Sequence, residues 1–324
     1  MHSIRFLHDT FDRALKAQTF DFAPVELYRP ITYTLSLGGK RLRPVLMLMG
    51  CDLFGGDIEK ALNPAIGLEL FHNFTLIHDD IMDDAPLRRG QPTVYKKWDT
   101  NTAILSGDTM FAIAYSFVAE TDRQFLPEVL KVFTRTATQV CEGQQYDLIF
   151  EKQDEVSIDD YLRMIHLKTG VLFGASLNIG AIIAGAPAAD ARNLYAFGEN
   201  IGIAFQLKDD LLDIYGNEAT FGKITGGDIL VNKKTYLYLK ALELAGDDDR
   251  RQLREYFRTT PADQQSKVNE VKRIYDRLQV KDCTLEAMDG YHRKALDFID
   301  EIQISDGRKR EMIRFAGKIM QRDS

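Results

Sequence analysis

The sequence predicts an all-α fold: one bundle of ten or more helices around a central cavity, with residues 1–324 forming a single domain. Three observations carry this. Apolar residues recur at helical spacing in most windows. Strand signals are nearly absent, with no sustained alternation of period two and no Asn-Gly hairpin. Of the 324 residues, 45% are hydrophobic, enough for a sizeable core, and no Pro/Ser-rich linker divides them.

The elements come in this order. Phe6, Phe11, Ala14 and Leu15 mark an amphipathic first helix, which Asp21-Phe22-Ala23-Pro24 breaks. A second helix covers Val25 to Leu37, and Gly38-Gly39 signals its end. Pro44 suits the start of a third, Leu42 to Leu53, which stops at Gly55-Gly56. Asn63-Pro64 opens a fourth that runs to Ala85-Pro86, and an irregular connection then leads through Arg88-Arg89-Gly90-Gln91-Pro92. Helices are then expected over Thr102–Ala119, Leu126–Phe150, Ser157–His166, Val171–Ala184, Ala189–Tyr215 and Lys234–Ala245. Ser157 with Asp159 and Asp160 just after it is an N-cap pattern. Asp247-Asp248-Asp249 before Arg250-Arg251 reads as the start of a surface helix rather than a metal site.

Bulk properties narrow the function. The formal net charge of −7 argues against broad nucleic-acid binding, which needs a dominant basic field. Cys51, Cys141 and Cys283 are far apart with no CxxC, a pattern of free thiols in a reducing, cytoplasmic compartment. No signal peptide is visible. No uninterrupted apolar stretch reaches the roughly 18 residues expected of a membrane span.

Two acidic clusters dominate the chain: Asp79, Asp80 and Asp83 in HDDIMDD, and Asp209, Asp210 and Asp213 in KDDLLD. Each has the spacing DDxxD, which puts the first and last aspartates one turn apart on one helix face. Like charges so close repel unless a cation binds. Hard carboxylate oxygens suit Mg²⁺, which takes one or two carboxylates and completes its shell with water and phosphate. Phe74 to Ile77 and Ile201 to Leu207 are apolar right up to the aspartates, so the clusters are expected at the rim of a hydrophobic cavity. Two such clusters facing each other would cage a diphosphate above an apolar tunnel. Cations gather in the same segments: Lys40 and Arg43, Arg88-Arg89, Lys168-Thr169, Lys223 and Lys233. Any one basic pair would ordinarily be solvated surface. Together, in a net-acidic chain with two metal motifs, they read as two diphosphate sites, one bound through metal and one by direct cationic contact.

The chain resembles the trans-isoprenyl diphosphate synthases of the polyprenyl synthetase family. The motifs that carry the likeness are GGKRLRP at 38–44, HNFTLIHDDIMDD at 72–84, LRRG at 87–90, LSGD at 105–108, GQQYDL at 143–148, KTG at 168–170, FQLKDDLLDIYG at 205–216 and GKITGGD at 222–228. The resemblance implies that Asp79 and Asp83, with Asp80, hold two Mg²⁺ ions, and Asp209, with Asp210 and Asp213, a third. It assigns the allylic diphosphate to Arg88, Lys168, Thr169, Gln206, Lys223 and Lys233. It assigns isopentenyl diphosphate to Lys40, Arg43, His72 and Arg89. His72 lies seven residues before Asp79, two turns back on the carboxylate face; His78 reads as structural. Asp147 and Gln144 match a motif near the allylic site. The implied chemistry is ionisation of the allylic C–O bond, attack of the isopentenyl double bond on the cation, and loss of a proton to the departed diphosphate. A homodimer is also implied.

Two positions depart from the family pattern. Asn232-Lys233-Lys234-Thr235 stands where Gly-Lys-x-Thr is common, so the lysine role is carried to Lys233, and Lys234 could share it. Gly170 stands where Ala is frequent. Phe74 is where family members carry an aromatic floor that limits product length. With small Thr75 beside it and no insertion in the first cluster, it resembles geranylgeranyl diphosphate synthases, giving C20 first and C15 second. Two other readings share some features. A class I terpene cyclase would carry an NSE-type second motif and lack GGKRLRP. A non-catalytic partner subunit would have lost aspartates or cations, and both sets are intact here.

Overall fold

The computed structural model describes residues 1–216, 226–259 and 263–321. It groups the chain into two compact units. One comprises Met1–Ala137, Ala175–Tyr195 and Ile302–Met312, the other Thr138–Gly174, Ala196–Glu301 and Ile313–Ser324.

In the first unit, α1 (Ile4–Lys16) starts where the Ser3 hydroxyl accepts from the Phe6 N–H at 3.2 Å, and it buries Leu7, Phe11 and Leu15. Then come α2 (Val25–Ser36) and α3 (Leu42–Leu53), whose residues from Pro44 to Leu53 are all buried. The helix α4 (Glu59–Met82) begins four residues before the expected Asn63-Pro64. Pro64 lies inside it, and the burial of Ala61, Ala65, Ile66 and Leu68 outweighs the backbone hydrogen bond that proline cannot make. The C-terminus of α4 is closed by Asp84 at φ +47°, with Ala85 N–H donating to Asp80 O at 3.0 Å. That is a Schellman-type cap on an aspartate instead of a glycine.

The connection expected after α4 is instead a hairpin, β1 (Leu87–Arg88) with β2 (Gln91–Pro92), the one strand pairing among the described residues. Its two turn residues, Arg89 and Gly90, both have positive φ (+53° and +74°), as a type I′ turn requires. Next are α5 (Val94–Lys97) and α6 (Thr100–Ala119), N-capped by Asp99 and packed against α4 and α2.

The helix α7 (Leu126–Lys152) leads into the second unit. There α8 (Ile158–Ile165) begins with a Ser157–Asp160 capping box. A π-helical turn, His166–Gly170, joins it to α9 (Val171–Ile183) where a plain break was expected. The remaining helices are α10 (Ala188–Tyr215), α11 (Gly227–Leu230), α12 (Tyr236–Leu244), α13 (Asp247–Tyr256), α14 (Gln264–Arg277), α15 (Val280–Glu301) and α16 (Asp306–Gln321). Leu207, Leu211, Leu237, Leu253, Val271, Tyr275 and Met288 form the core of this unit. The Asp247–Asp249 run starts α13, where Asp249 pairs with Arg277, as expected of a surface helix.

Two helical stretches, Thr100–Ala119 and Ile158–Ile183, are long and apolar enough to cross a membrane by length and composition alone. Ser, Thr, Asn and Gly punctuate both, so neither is an uninterrupted apolar run. The second is 89% buried, the mark of a core helix. The first, α6, buries one side and leaves Ile104 and Leu105 exposed.

Candidate active site

In the first unit, the GGKRLRP segment forms a loop and the start of α3. Arg41, at φ +46°, points inward. Its guanidinium donates to Glu69 Oε1 at 2.6 Å and to Leu35 O at 2.7 Å, and Asn73 Nδ2 joins the same Glu69 oxygen at 3.0 Å. This buried pair anchors the loop that carries Lys40 on its surface and Arg43 on the first turn of α3. Arg43 Nη1 donates to His72 Nε2 at 3.1 Å, leaving the ring proton on Nδ1. Burial, then Arg43, Arg89, Arg88 and Arg41, hold the His72 imidazolium well below its usual range, so the ring is neutral. Arg89 reaches back from the hairpin to donate to Gly38 O. Gly39 has φ +141°, a backbone conformation that L side chains rarely adopt, and a Cβ there would lie 2.8 Å from the Arg89 guanidinium. Arg43, His72, Arg89 and the glycine loop therefore form one cationic cluster, with Lys40 at its edge.

The C-terminal end of α4 carries the first aspartates. Asp80 is buried and takes the Nε–Nη2 edge of Arg88, at 2.9 and 3.0 Å from Nε and 2.7 Å from Nη2. Burial raises its pKa, with Asp83 adding and Arg88 only partly offsetting. Asp79 is half-buried and Asp83 exposed. Further back on α4, Phe74 stacks on Phe111 (ring centroids 4.9 Å apart) and also meets Phe71 and His78. Thr75 turns its hydroxyl to His72 O at 2.8 Å, and His78 lies against Gly107 of the LSGD segment.

In the second unit, α7 comes so close to the π turn that a Cβ on Gly143 would lie 2.4 Å from Lys168 N. One turn beyond Gly143, Asp147 accepts from Lys168 Nζ at 2.7 Å, and Lys233 Nζ stands 4.0 Å away. Burial alone would raise the Asp147 carboxyl, but the two lysines more than offset it and hold it below the usual range. The helices α9 and α10 approach equally closely at Gly170 and Gly202, 2.7 Å from a Cβ on Gly202 to Gly170 Cα. One turn on, Gln206 accepts from Thr169 Oγ1 at 3.1 Å and donates to Asp210 Oδ1 at 3.2 Å.

Asp210 is 4% exposed and also accepts from the Tyr161 hydroxyl. Burial, then Asp228, push its carboxyl well above the usual range, and burial with Asp210 pushes Tyr161 up. Asp213 accepts from the Asp228 N–H at 3.0 Å, and Asp209 is half-buried. Lys234 donates to Phe150 O at 2.6 Å, Glu151 O at 3.3 Å and Gln153 O, closing the C-terminus of α7. Asp147, Lys168, Thr169, Gln206, Asp210, Asp228, Lys233 and Lys234 line a pocket of about 90 Å³, with Tyr161, Met164 and Ile165 on its less polar side. That is far below the volume of a drug-sized ligand site, and the lysines on its wall suit a phosphate head. Lys223 lies outside the described residues.

The family model for polyprenyl synthetases matches residues 24–278. The chain belongs to that family. Among the relatives it resembles, the geranylgeranyl diphosphate synthase of Methanosarcina mazei is 41% identical over 223 residues, 68% of each chain. The geranylfarnesyl diphosphate synthase of Natronomonas pharaonis is 38% identical over 236 residues, 67% of this chain and 69% of that one. A crystal structure of a geranylgeranyl pyrophosphate synthase matches with a TM-score of 0.95 at 46% identity over 100% of both chains. This polyprenyl synthetase is a short-chain trans-prenyltransferase with the all-α isoprenoid synthase fold.

Enzymes of the polyprenyl synthetase family depend on Mg²⁺, and the donors here fit that ion. Among the described residues no three His, Cys, Asp or Glu side chains converge into a ready-made cage. Mg²⁺ needs none, since one or two carboxylates suffice when water and phosphate complete its shell. The outer aspartates of each cluster are more accessible than the buried middle ones, Asp80 and Asp210.

Sequence reasoning did not single out four residues that hold candidate side chains in place, Arg41 and Glu69 in the first unit and Tyr161 and Asp228 in the second. Arg41 and Asp228 sit inside the motifs and were legible as neighbours of the chosen residues. Glu69 and Tyr161 carry no local signal, because their partners lie 28 and 49 residues away in sequence.

Proposed function

We propose that the enzyme condenses isopentenyl diphosphate with an allylic diphosphate, forming an all-trans prenyl diphosphate of C20, or of C15 as the second choice. Lys40, Arg43, His72 and Arg89 take the isopentenyl diphosphate without metal. Arg88, Lys168, Thr169, Gln206, Lys223 and Lys233 take the allylic diphosphate. Asp79 and Asp83 with Asp80, and Asp209 with Asp210 and Asp213, are the magnesium carboxylates for three ions. When bound, the metal supplies Lewis acidity and charge neutralisation at the departing diphosphate.

The chain's own groups do the rest. Arg88, held by Asp80 along one edge, offers the other edge of its fork to an anion. Asp147 keeps Lys168 and Lys233 side by side, so two ammonium groups face the charge that develops on the leaving group. The allylic C–O bond breaks, the isopentenyl double bond attacks the resulting cation, and the proton lost in forming the new double bond passes to the departed diphosphate. Neutral His72 accepts from Arg43 and fixes its direction without adding charge. The commitment of Lys234 to the α7 carbonyls supports Lys233 as the binding lysine.

The observation that carries the reading is the charge division along α4. Its C-terminal end holds carboxylates, and two turns back His72 joins a cluster of cations. The chain is read as one synthase domain over 1–324, supported by a family match that takes in parts of both units. It is read as a homodimer, supported by the exposed Ile104 and Leu105 of α6, and as cytoplasmic, supported by three free cysteines.

The test is incubation with isopentenyl diphosphate, Mg²⁺ and each of dimethylallyl, geranyl and farnesyl diphosphates, with products resolved by mass spectrometry. C20 should dominate, and Asp83→Asn should slow turnover on the order of 100-fold. Release of diphosphate from the allylic substrate alone, with no elongation, would overturn the reading in favour of a cyclase or hydrolase.

A further inference from the structure

We propose that Lys267 is a positioning residue for the allylic-diphosphate pocket. It latches Asn232 in a left-handed conformation and so fixes the direction of the next two lysines, which both line the pocket. The inference rests on the reading that Lys233 contacts that diphosphate.

Asn232 has φ +60°, in the region that glycine adopts freely and other L-residues enter only at a steric cost. Asparagine tolerates it better than most, and here its side chain is also tied down. The Lys267 ammonium donates to Asn232 Oδ1 and, at 3.1 Å, to Thr259 O, and lies 5.6 Å from the centroid of the Phe257 ring. Lys267 is 2% exposed. No carboxylate is among these partners, and a buried ammonium held by neutral oxygens is a poor way to stabilise a fold. Its geometry is nonetheless specific, because α14 holds both ends of one short segment. Val268 fills the space a Cβ on Gly226 would need, at 2.5 Å, while Lys267 holds Asn232.

That segment carries two pocket residues in fixed relation. The Lys233 N–H donates to Asp228 O at 2.9 Å, and Asp228 N–H donates to Asp213. Directly after Asn232 the consecutive lysines part. Lys233 stands 4.0 Å from Asp147 in the pocket, and Lys234 closes the α7 terminus. A change of backbone conformation at Asn232 would redirect both at once.

The test uses the full-length enzyme at saturating Mg²⁺, reading kcat and the KM for farnesyl and isopentenyl diphosphates. Lys267→Met keeps the unbranched stem to the ε position and removes the ammonium that forms the latch. It should raise the farnesyl diphosphate KM about tenfold, with the isopentenyl KM and the Tm close to wild type. In an Asn232→Gly background, where glycine holds the turn unaided, the same substitution should change that KM less than about twofold. Asn232→Ala, which leaves α14 untouched, should raise the farnesyl KM more than Asn232→Gly does. Equal effects of Lys267→Met in both backgrounds, or a fall in Tm with both KM values moving together, would show a merely structural lysine and overturn the proposal. Lys233→Ala separates the two levels. If it leaves the farnesyl KM unchanged, the pocket reading fails. If it raises that KM while Lys267→Met is silent, only the latch fails.

Discussion

Within each DDxxD cluster the three aspartates are not equivalent. Asp80 is buried against Arg88, and Asp210 is buried against Tyr161 and Gln206. The flanking aspartates are the more accessible ones. The spacing was legible as a metal motif, but this division was not, since it depends on side chains brought in by the hairpin and by α8. His72 is the reverse case. Its place two turns from Asp79 pointed to the carboxylate face, and the structure brings it to Arg43. Its depressed pKa has a consequence for stability. The unfolded chain takes up a proton below about pH 6.5, where the folded ring stays neutral, so stability falls as the pH drops through that value. A His72→Gln variant should show a shallower loss of unfolding free energy between pH 7 and pH 5, by up to about 1.4 kcal/mol per pH unit. Parallel slopes for the two proteins would refute the buried neutral ring. At Phe74 the ring stacks on Phe111 within a larger aromatic group. Phe74→Ala should lengthen the product and cost about 3–5 kcal/mol of stability. An unchanged chain-length profile by mass spectrometry would remove Phe74 from the floor.

Among the elements, helices were read correctly wherever burial is one-sided and the ends carry caps, as in α1 and α8. Errors came where tertiary packing overrides a local signal. Pro64 looked like a start and is interior, and a core helix with apolar residues all round has no face to betray its limits. The hairpin went unseen because its turn is Arg-Gly, not Asn-Gly, and it places Arg88 and Arg89 on different partners. The joint between α8 and α9 looked like a break because no sequence pattern distinguishes a π turn from an interruption. Gly143 matters at this scale, since it lets α7 touch that turn and so delivers Asp147 to Lys168. Gly143→Ala should push the two backbones apart, costing about 1–3 kcal/mol and raising the allylic KM. A variant with wild-type Tm and KM would show that the close approach is dispensable.

For the whole molecule, the all-α class was legible from periodicity and the absence of strand signals. The grouping into two units was not, because each is assembled from three separate stretches of chain. The exposed side of α6 is the feature that the monomer leaves without a use. Leu105→Glu should convert a dimer to a monomer in sedimentation velocity with little change in helix content, since Leu105 is 58% exposed in the single chain. A variant that sediments as the wild type would overturn α6 as the proposed dimer contact.

The π turn also sets a rule for chain length. It holds one residue more than an α turn, so removing a single residue between His166 and Gly170 could leave an unbroken α-helix from α8 into α9. The part of the helix before the deletion would then turn by about 100° about its axis relative to the part after it. With Leu167 removed, Lys168 and Thr169 would keep their phase with α9, while Tyr161 on α8 would turn away from Asp210, although every polar side chain of the pocket remained present. Insertions and deletions in this stretch therefore act as a change of phase, and substrate affinity should register it even where helix content does not.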